Sequence, residues 1–303
     1  MSRWRWAALV CSVVVAGLVA YLMVSPPAFL SSVITGDVAS PVAGEAVPPI
    51  EGKPVIRVAI TGDTGTGSGA EQATAERMDI EGESRPYDAL LLLGDLVYEE
   101  GDAALVDRVV TQPFAPLVEG GAQLLPVLGN HDYRSGEQEA ILDALGRDNP
   151  WYVERVGSVR VVVLDSNRLR DAAQTRWLRA TLVEPQPPGS WTIVGMHHPA
   201  YSAGHHGSDM EVRRTWGPLF AAAQVPLVLA GHDHDYERTT PQDGVTYVVS
   251  GAGAKTRTVG HEDFTAVSSS TLHFLDLLVY DDRIEGRAID QSGQLVDSFR
   301  ISR

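Results

Sequence analysis

Gly231-His232-Asp233-His234 closes the apolar run Val225-Pro226-Leu227-Val228-Leu229-Ala230, and this stretch decides the fold. Two histidines two residues apart, on a glycine turn just past a buried strand, point from one bend of backbone into one small volume. Neutral imidazole is the commonest metal ligand. Four other segments end in the same way: Ile60-Thr61-Gly62-Asp63, Leu93-Gly94-Asp95, Leu128-Gly129-Asn130-His131-Asp132 and Val194-Gly195-Met196-His197-His198. In each, a glycine stands immediately before the first candidate ligand or one residue earlier. Seven of the nine histidines fall in or just after these segments. In α/β sheets ligands collect beyond the carboxyl ends of the strands, so all five segments point to one site.

Between these tips the chain alternates strand and helix signals. Short apolar, β-branched runs predict strands at 55–60, 89–93, 123–128, 191–194 and 226–230, and a hairpin from 152–156 and 160–164 about Gly157-Ser158. Helical patterns cover 70–81, 102–118 with a break near Pro113 and Pro116, 137–145, 174–183 and 211–223. The last third is strand-rich, with runs at 245–249, 272–279, 283–290 and 294–301, the final two closing a meander. This pattern predicts an α/β domain: a two-sheet layered sandwich flanked by helices. The Gly-rich stretch after Asp63 lacks the Gly-Lys-Ser/Thr of a nucleotide-binding loop and the dinucleotide spacing.

The 303 residues divide into three parts. Trp6 to Val24 is uncharged and follows Arg3 and Arg5. Residues 1–25 therefore read as a signal-anchor or transmembrane helix, with the positive flank cytoplasmic and the rest outside. The run is longer than a usual signal core and no small-x-small cleavage site follows, which favours an anchor; cleavage would give a secreted protein. Cys11, the only cysteine, lies within this span, so the exported part has no disulfide. Residues 26–53, rich in Pro, Ser, Gly and Ala, read as a flexible linker, and 54–303 as the globular domain that carries the five tips. A net charge of −15 argues against a nucleic-acid partner. It does not argue against a small phosphorylated substrate, because bound metal reverses the local field.

The candidate ligands are Asp63, Asp95, Tyr98, Asn130, His197, His232 and His234. One aspartate can bridge two cations and leave the others to divide between them. Mixed carboxylate, imidazole, amide and phenolate donors suit first-row transition metals, and two such ions can clamp the attacking and leaving oxygens of a phosphoryl group.

The ordered set Asp63-x-Gly65, Gly94-Asp95-x-x-Tyr98, Gly129-Asn130-His131-Asp132, Gly195-x-His197 and Gly231-His232-x-His234 resembles the calcineurin-like metallophosphoesterases. Within them it is most similar to the purple acid phosphatases of the tartrate-resistant type. Asp235-Tyr236-Glu237-Arg238 and Ser250-Gly251-Ala252-Gly253 add to the likeness, which runs from about residue 55 to 300. The resemblance implies two metal ions. One is held by Asp63, Asp95, Tyr98 and His234, the other by Asp95, Asn130, His197 and His232, with Asp95 bridging. It implies Fe³⁺ beside the tyrosine and Fe²⁺, Zn²⁺ or Mn²⁺ at the second position. His131 and either His205 or His206 become outer groups that touch substrate. Most of the wider superfamily has a histidine where this chain has Gly65, so Tyr98 exchanges one ligand for another. His198 reads as a structural neighbour, since Pro199 completes a His-x-Pro pattern that assigns the ligand to His197. His261 and His273 read as structural or surface residues, and Asp165-Ser166 as a structural strand end.

The implied activity is hydrolysis of phosphate monoesters by a hydroxide that the two metals activate. A phosphodiesterase on the same ligands is the first alternative. A non-catalytic phosphate-binding module is the second, and the presence of all seven ligand candidates speaks against it.

Overall fold

The structure is a computed structural model that describes residues 44–303. The expected membrane helix at 1–25 and the linker up to residue 43 lie outside the described residues. Among the described residues no helix is long and apolar enough to cross a membrane. Residues 44–51, at the end of the expected linker, are tied to the domain. Gly44 N–H donates to Leu295 O at 3.0 Å, and the Arg287 guanidinium and Tyr280 hydroxyl donate to Pro48 O and Glu51 O, each at 2.8 Å.

Strand β1 (Ile56–Thr61) is buried throughout. Its period of two sends Ile56, Val58 and Ile60 into one apolar cluster and Ala59 into another. Both faces of this strand are therefore covered, which is why its sequence is apolar but for Arg57 and the terminal Thr61. It pairs in parallel with β2 (Ala89–Leu92), which pairs in parallel with β3 (Gln123–Pro126). On its other side lies the antiparallel meander β11 (His273–Val279), β12 (Arg283–Asp290) and β13 (Leu295–Ser302). Arg57 is buried on this sheet and is neutralised by Asp276 at 2.9 Å.

The second sheet has seven strands. Its parallel centre is β5 (Val159–Val163), β6 (Trp191–Gly195), β7 (Leu227–Ala230) and β9 (Thr246–Ser250). Antiparallel strands β4 (Tyr152–Val156), β8 (Tyr236–Thr239) and β10 (Thr265–Ser269) extend it. Side chains from the facing sides of both sheets, among them Leu91, Leu93, Ile193 and Leu229, form the central core. Outside the first sheet lie α1 (Gly69–Gly82), α2 (Gln112–Glu119) and α3 (Gln138–Ala144), which bury Met78, Phe114 and Ile141. Outside the second lie α4 (Ala172–Val183), α5 (Met210–Thr215) and α6 (Gly217–Ala222), which bury Leu178, Val212 and Phe220. The result is the expected two-sheet sandwich flanked by helices.

The structure differs from the sequence reading in four places. Residues 102–118 do break, but upstream of the prolines, in a π turn at Asp107–Thr111. Pro113 sits in the first turn of α2, where its missing N–H has no partner to lose. Residues 211–223 form two helices, because Gly217-Pro218 starts a new first turn. Strands β8 and β10 carry no apolar run. Glu237 is buried in β8 because its carboxylate accepts hydrogen bonds from Ala203 N–H and Thr265 Oγ1.

Candidate metal centre

Asp63 and Asp95 follow β1 and β2, and Asn130 follows β3 by four residues. His197 and His232 each stand two residues past β6 and β7. All five strands run in parallel ladders within their sheets, so their tips share one edge of the sandwich. The two sheets are stitched there: Gly62 N–H donates to Ser250 O at 2.8 Å, and His197 Nδ1 lies 2.8 Å from Leu93 O. Asp63, Asp95 and His232 take positive φ values of 58°, 51° and 72°, so the chain turns back at the strand tip and aims each side chain over the edge. Non-glycine residues tolerate this conformation only when the surroundings impose it.

On one side of the site the Tyr98 hydroxyl donates to Asp63 Oδ1 at 3.1 Å and lies 3.2 Å from His234 Nε2. On the other, His197 Nε2 lies 3.1 Å from Asn130 Oδ1, 3.2 Å from His232 Nδ1 and 3.4 Å from Asp95 Oδ1. One ligand atom each from Asp63, Asp95 and His197 falls within 4.8 Å of the others, and these three are fully or almost fully buried. All seven sequence candidates therefore meet in one volume.

Gly65 shows why no histidine stands there. A Cβ at that position would lie 1.9 Å from Leu96 O. The 95–98 backbone packs directly on Gly65, and Tyr98 N–H donates to Gly65 O at 2.8 Å. The close approach that excludes a side chain at 65 is the one that brings Tyr98 into the site.

The electrostatics fit a cation. Burial, and then the charge of Asp95, push the Asp63 carboxyl well above its usual range. Burial, then Asp63 and Asp95, raise the Tyr98 phenol. Burial lowers the imidazoles of His197, His232 and His234, the last to about 4, so all three stay neutral. Two buried carboxylates that repel each other and three neutral imidazoles form a donor set that positive charge completes.

His131 stands beside this group. Its N–H donates to Asp95 Oδ1 at 2.9 Å, and its ring meets the Tyr98 ring edge-on at 4.5 Å. Of the two histidines that the sequence left open, His206 lies with its ring 4.4 Å from that of His232, whereas His205 packs on His206 at 5.0 Å. His273 is buried against Ser250 Oγ at 3.0 Å, and His261 is exposed, as a structural and a surface residue respectively.

Two carboxylates at the site went unassigned in the sequence. Asp132 is buried and accepts hydrogen bonds from Leu96, Val97 and Gly129 N–H at 3.1, 2.9 and 2.7 Å, which shapes the turn that presents Asp95. Asp233, between the two histidines, accepts from Ser202 Oγ at 2.5 Å, His206 N–H at 2.6 Å and Gly207 N–H at 3.2 Å. It latches the loop that carries His206. The only sequence signal is an acid next to a ligand, which is too common to decide anything. Asp233→Ala is expected to keep both metals and lower kcat/KM by about 10- to 100-fold, the scale for removing a partner that orients a site. Metal analysis with kinetics checks this, and loss of metal would instead make Asp233 part of the metal-holding frame.

Residues 56–236 match the model of the calcineurin-like phosphoesterase family, and the chain belongs to that family. That family is one of metallophosphoesterases, which act on phosphorylated substrates. It is 28% identical over 232 residues to purple acid phosphatase 3 of Arabidopsis thaliana, covering 65% of this chain and 62% of that protein. It is 30% identical over 197 residues to a cAMP/cGMP dual specificity phosphodiesterase of Mycobacterium tuberculosis, covering 61% and 58%. The chain thus spans about three fifths of the length of these relatives. The structure of a purple acid phosphatase from seeds of yellow lupin, Lupinus luteus, shares the fold with a TM-score of 0.73 at 19% identity, covering 84% of this chain and 55% of that one.

Proposed function

We propose that this protein hydrolyses phosphate monoesters at a di-metal centre, in the manner of an acid phosphatase. One observation carries the proposal: Tyr98, Asp63 and His234 on one side and Asn130, His197 and His232 on the other, with Asp95 between them. Asp63, Asp95, Tyr98 and His234 would hold one ion; Asp95, Asn130, His197 and His232 would hold the second. When bound, two such ions supply a water made nucleophilic at neutral pH and neutralise charge on the phosphoryl oxygens.

The chain's own residues do the rest. Leu93 O fixes the His197 ring through Nδ1, which presents Nε2 to the second position. Glu99 O holds His131 Nδ1 at 2.7 Å, and Nε2, which lies 3.0 Å from the Arg134 guanidinium, would in the protonated ring meet a phosphoryl oxygen once it leaves Arg134. His206, on the latched loop, would in its protonated form give a proton to the leaving alkoxide. The tyrosine phenolate is hard and anionic and favours Fe³⁺ at its position.

The positive charge of Arg257 at the rim supports a dianionic monoester over a monoanionic diester, whereas Lys255 is already paired with Glu99 at 2.8 Å. Lys255 Nζ stands 3.7 Å above the Tyr98 ring. Arg257 N–H donates to His234 O at 2.8 Å, and its positive charge is a secondary cause, after burial, that lowers His234 and His206. The phosphodiesterase reading is supported by the printed activity of the mycobacterial relative. On the strength of residues 1–25, the domain is proposed to stand outside the cytoplasm, anchored by that segment or secreted after its cleavage.

Paired rates on an aryl phosphate and a bis-aryl phosphate test the substrate reading. A kcat/KM higher for the diester would replace it with the phosphodiesterase. The Tyr98 reading has its own test: iron-loaded, oxidised protein is expected to be violet from ring-to-metal charge transfer. Tyr98→Phe keeps the ring and removes the oxygen, so the band is expected to vanish and iron to bind more weakly. A wild type with one ferric ion and no visible band would remove Tyr98 from the ligand set.

A further inference from the structure

His198 lies outside the seven ligand candidates, and the His-x-Pro pattern gave it no role. Its ring nevertheless stands 4.5 Å from the ring of His232 and 5.0 Å from that of His197, centroid to centroid. One nitrogen from each of these three imidazoles falls within 4.8 Å of the other two.

The ring is held there by another strand tip. Ser166 Oγ accepts the His198 backbone N–H at 3.0 Å and lies 2.8 Å from His198 Nδ1. Ser166 is itself buried in the turn that follows β5, and β5 pairs in parallel with β6 up to Val163 and Gly195. The two tips are therefore in register, and one hydroxyl grips both the backbone and the ring of His198. A metal-bound imidazole characteristically gives its second N–H to an oxygen, which fixes the tautomer and the ring plane. In the tautomer whose Nδ1–H donates to Ser166 Oγ, Nε2 is the nitrogen left to bind.

We propose that His198 is a third imidazole ligand at the metal position of His197 and His232, with Ser166 as the residue that orients it. The proposal rests on the di-metal reading of the site. It also selects the ion. Three imidazoles make this position nitrogen-rich, which favours Zn²⁺ or Fe²⁺ over Mn²⁺, an ion better suited to oxygen donors.

Cobalt titration of the metal-free full-length chain tests it, read by calorimetry and by the visible Co²⁺ bands. The wild type is expected to take two equivalents and to prefer Zn²⁺ to Mn²⁺ at one of them in competition. His198→Gln is expected to weaken one equivalent by about 10-fold or more, shift its Co²⁺ band and erode the preference for Zn²⁺. Ser166→Ala keeps the ring and frees Nδ1, and is expected to weaken the same equivalent by about 10-fold. His261→Gln, on an exposed residue, is expected to change neither.

A His198→Gln chain with both equivalents at wild-type affinity and an unchanged band overturns the proposal and leaves the di-metal centre standing. Unchanged metal binding with slower turnover also overturns it, by making His198 a group that faces the substrate. A wild type that binds fewer than two equivalents overturns the di-metal reading and this proposal together. If His198→Gln does not fold, Ser166→Ala decides: weakened binding supports the ligand, and wild-type binding overturns it.

Discussion

Asp95→Ala is expected to leave a folded chain that holds neither metal ion, with kcat/KM lower by at least about 10³-fold, the upper end for loss of a single group that stabilises transition-state charge. The reason is position. The Asp95 carboxylate stands 3.4 Å from His197 on one side and is close enough to Asp63 and Tyr98 on the other to raise both. Its removal takes one donor from each proposed ion. The metal-free chain has no reason to suffer in proportion. Asp95 and Asp63 are buried like charges, and losing one relieves the other. Against this stands roughly 1–2 kcal/mol for an alanine at a φ of 51°. Asp95→Asn keeps a residue that tolerates this conformation and isolates the charge.

Thermal melts with and without metal separate the two terms. A ligand present at 100 times its Kd stabilises by about 2.7 kcal/mol. The wild type is expected to show a metal-dependent rise in Tm, and both Asp95 variants to show none. Two equivalents of metal and normal turnover in either variant would remove Asp95 from the bridging position.

The second large effect is expected at His131, and it is of the opposite kind. His131→Ala should keep both metals and lose roughly 10²- to 10³-fold in rate, the cost of one donor aimed at charge that develops in the transition state. The ring is well held: Nδ1 on Glu99 O, one edge on Tyr98, and Nε2 3.0 Å from the Arg134 guanidinium. Its backbone N–H, which any residue but proline supplies, carries the bond to Asp95 and survives the substitution. That is why the metals should stay while the rate falls. Metal content and single-turnover rates on an aryl phosphate decide the matter. Loss of an ion would make the imidazole a ligand.

The core of the fold was legible because its central strands are buried on both faces. Ile56–Thr61, Ala89–Leu92 and Leu227–Ala230, like the runs that end at Leu128 and Val194, read as short, mainly apolar stretches closed by glycine. Strands β8 and β10 were not legible. They lie toward one edge of the second sheet, and Tyr236–Thr239 buries Glu237 through partners 34 and 28 residues away in sequence. A window of neighbours carries no trace of such partners. The break in 102–118 was misplaced for a related reason. A proline marks a break only when its position in the helix is known, and the first turn tolerates it.

At the site the division is similar. By itself the sequence determined which residue types stand at the five strand tips. Each tip is a local event, an apolar run, a glycine and a polar residue, and parallel strands carry such tips to one edge whatever the loops between them do. Tertiary structure alone decided how the tips meet. It placed His206 rather than His205 over His232, drew Asp132 and Asp233 inward as acceptors for backbone N–H groups, and set His198 against His232 through Ser166. Each of those contacts joins the loops of neighbouring parallel strands, β2 with β3, β5 with β6 or β6 with β7, which the strand order of each sheet brings side by side. Spacing along the chain does not encode that distance; the order in which the strands pair, and the way their loops then fold over the tips, creates it.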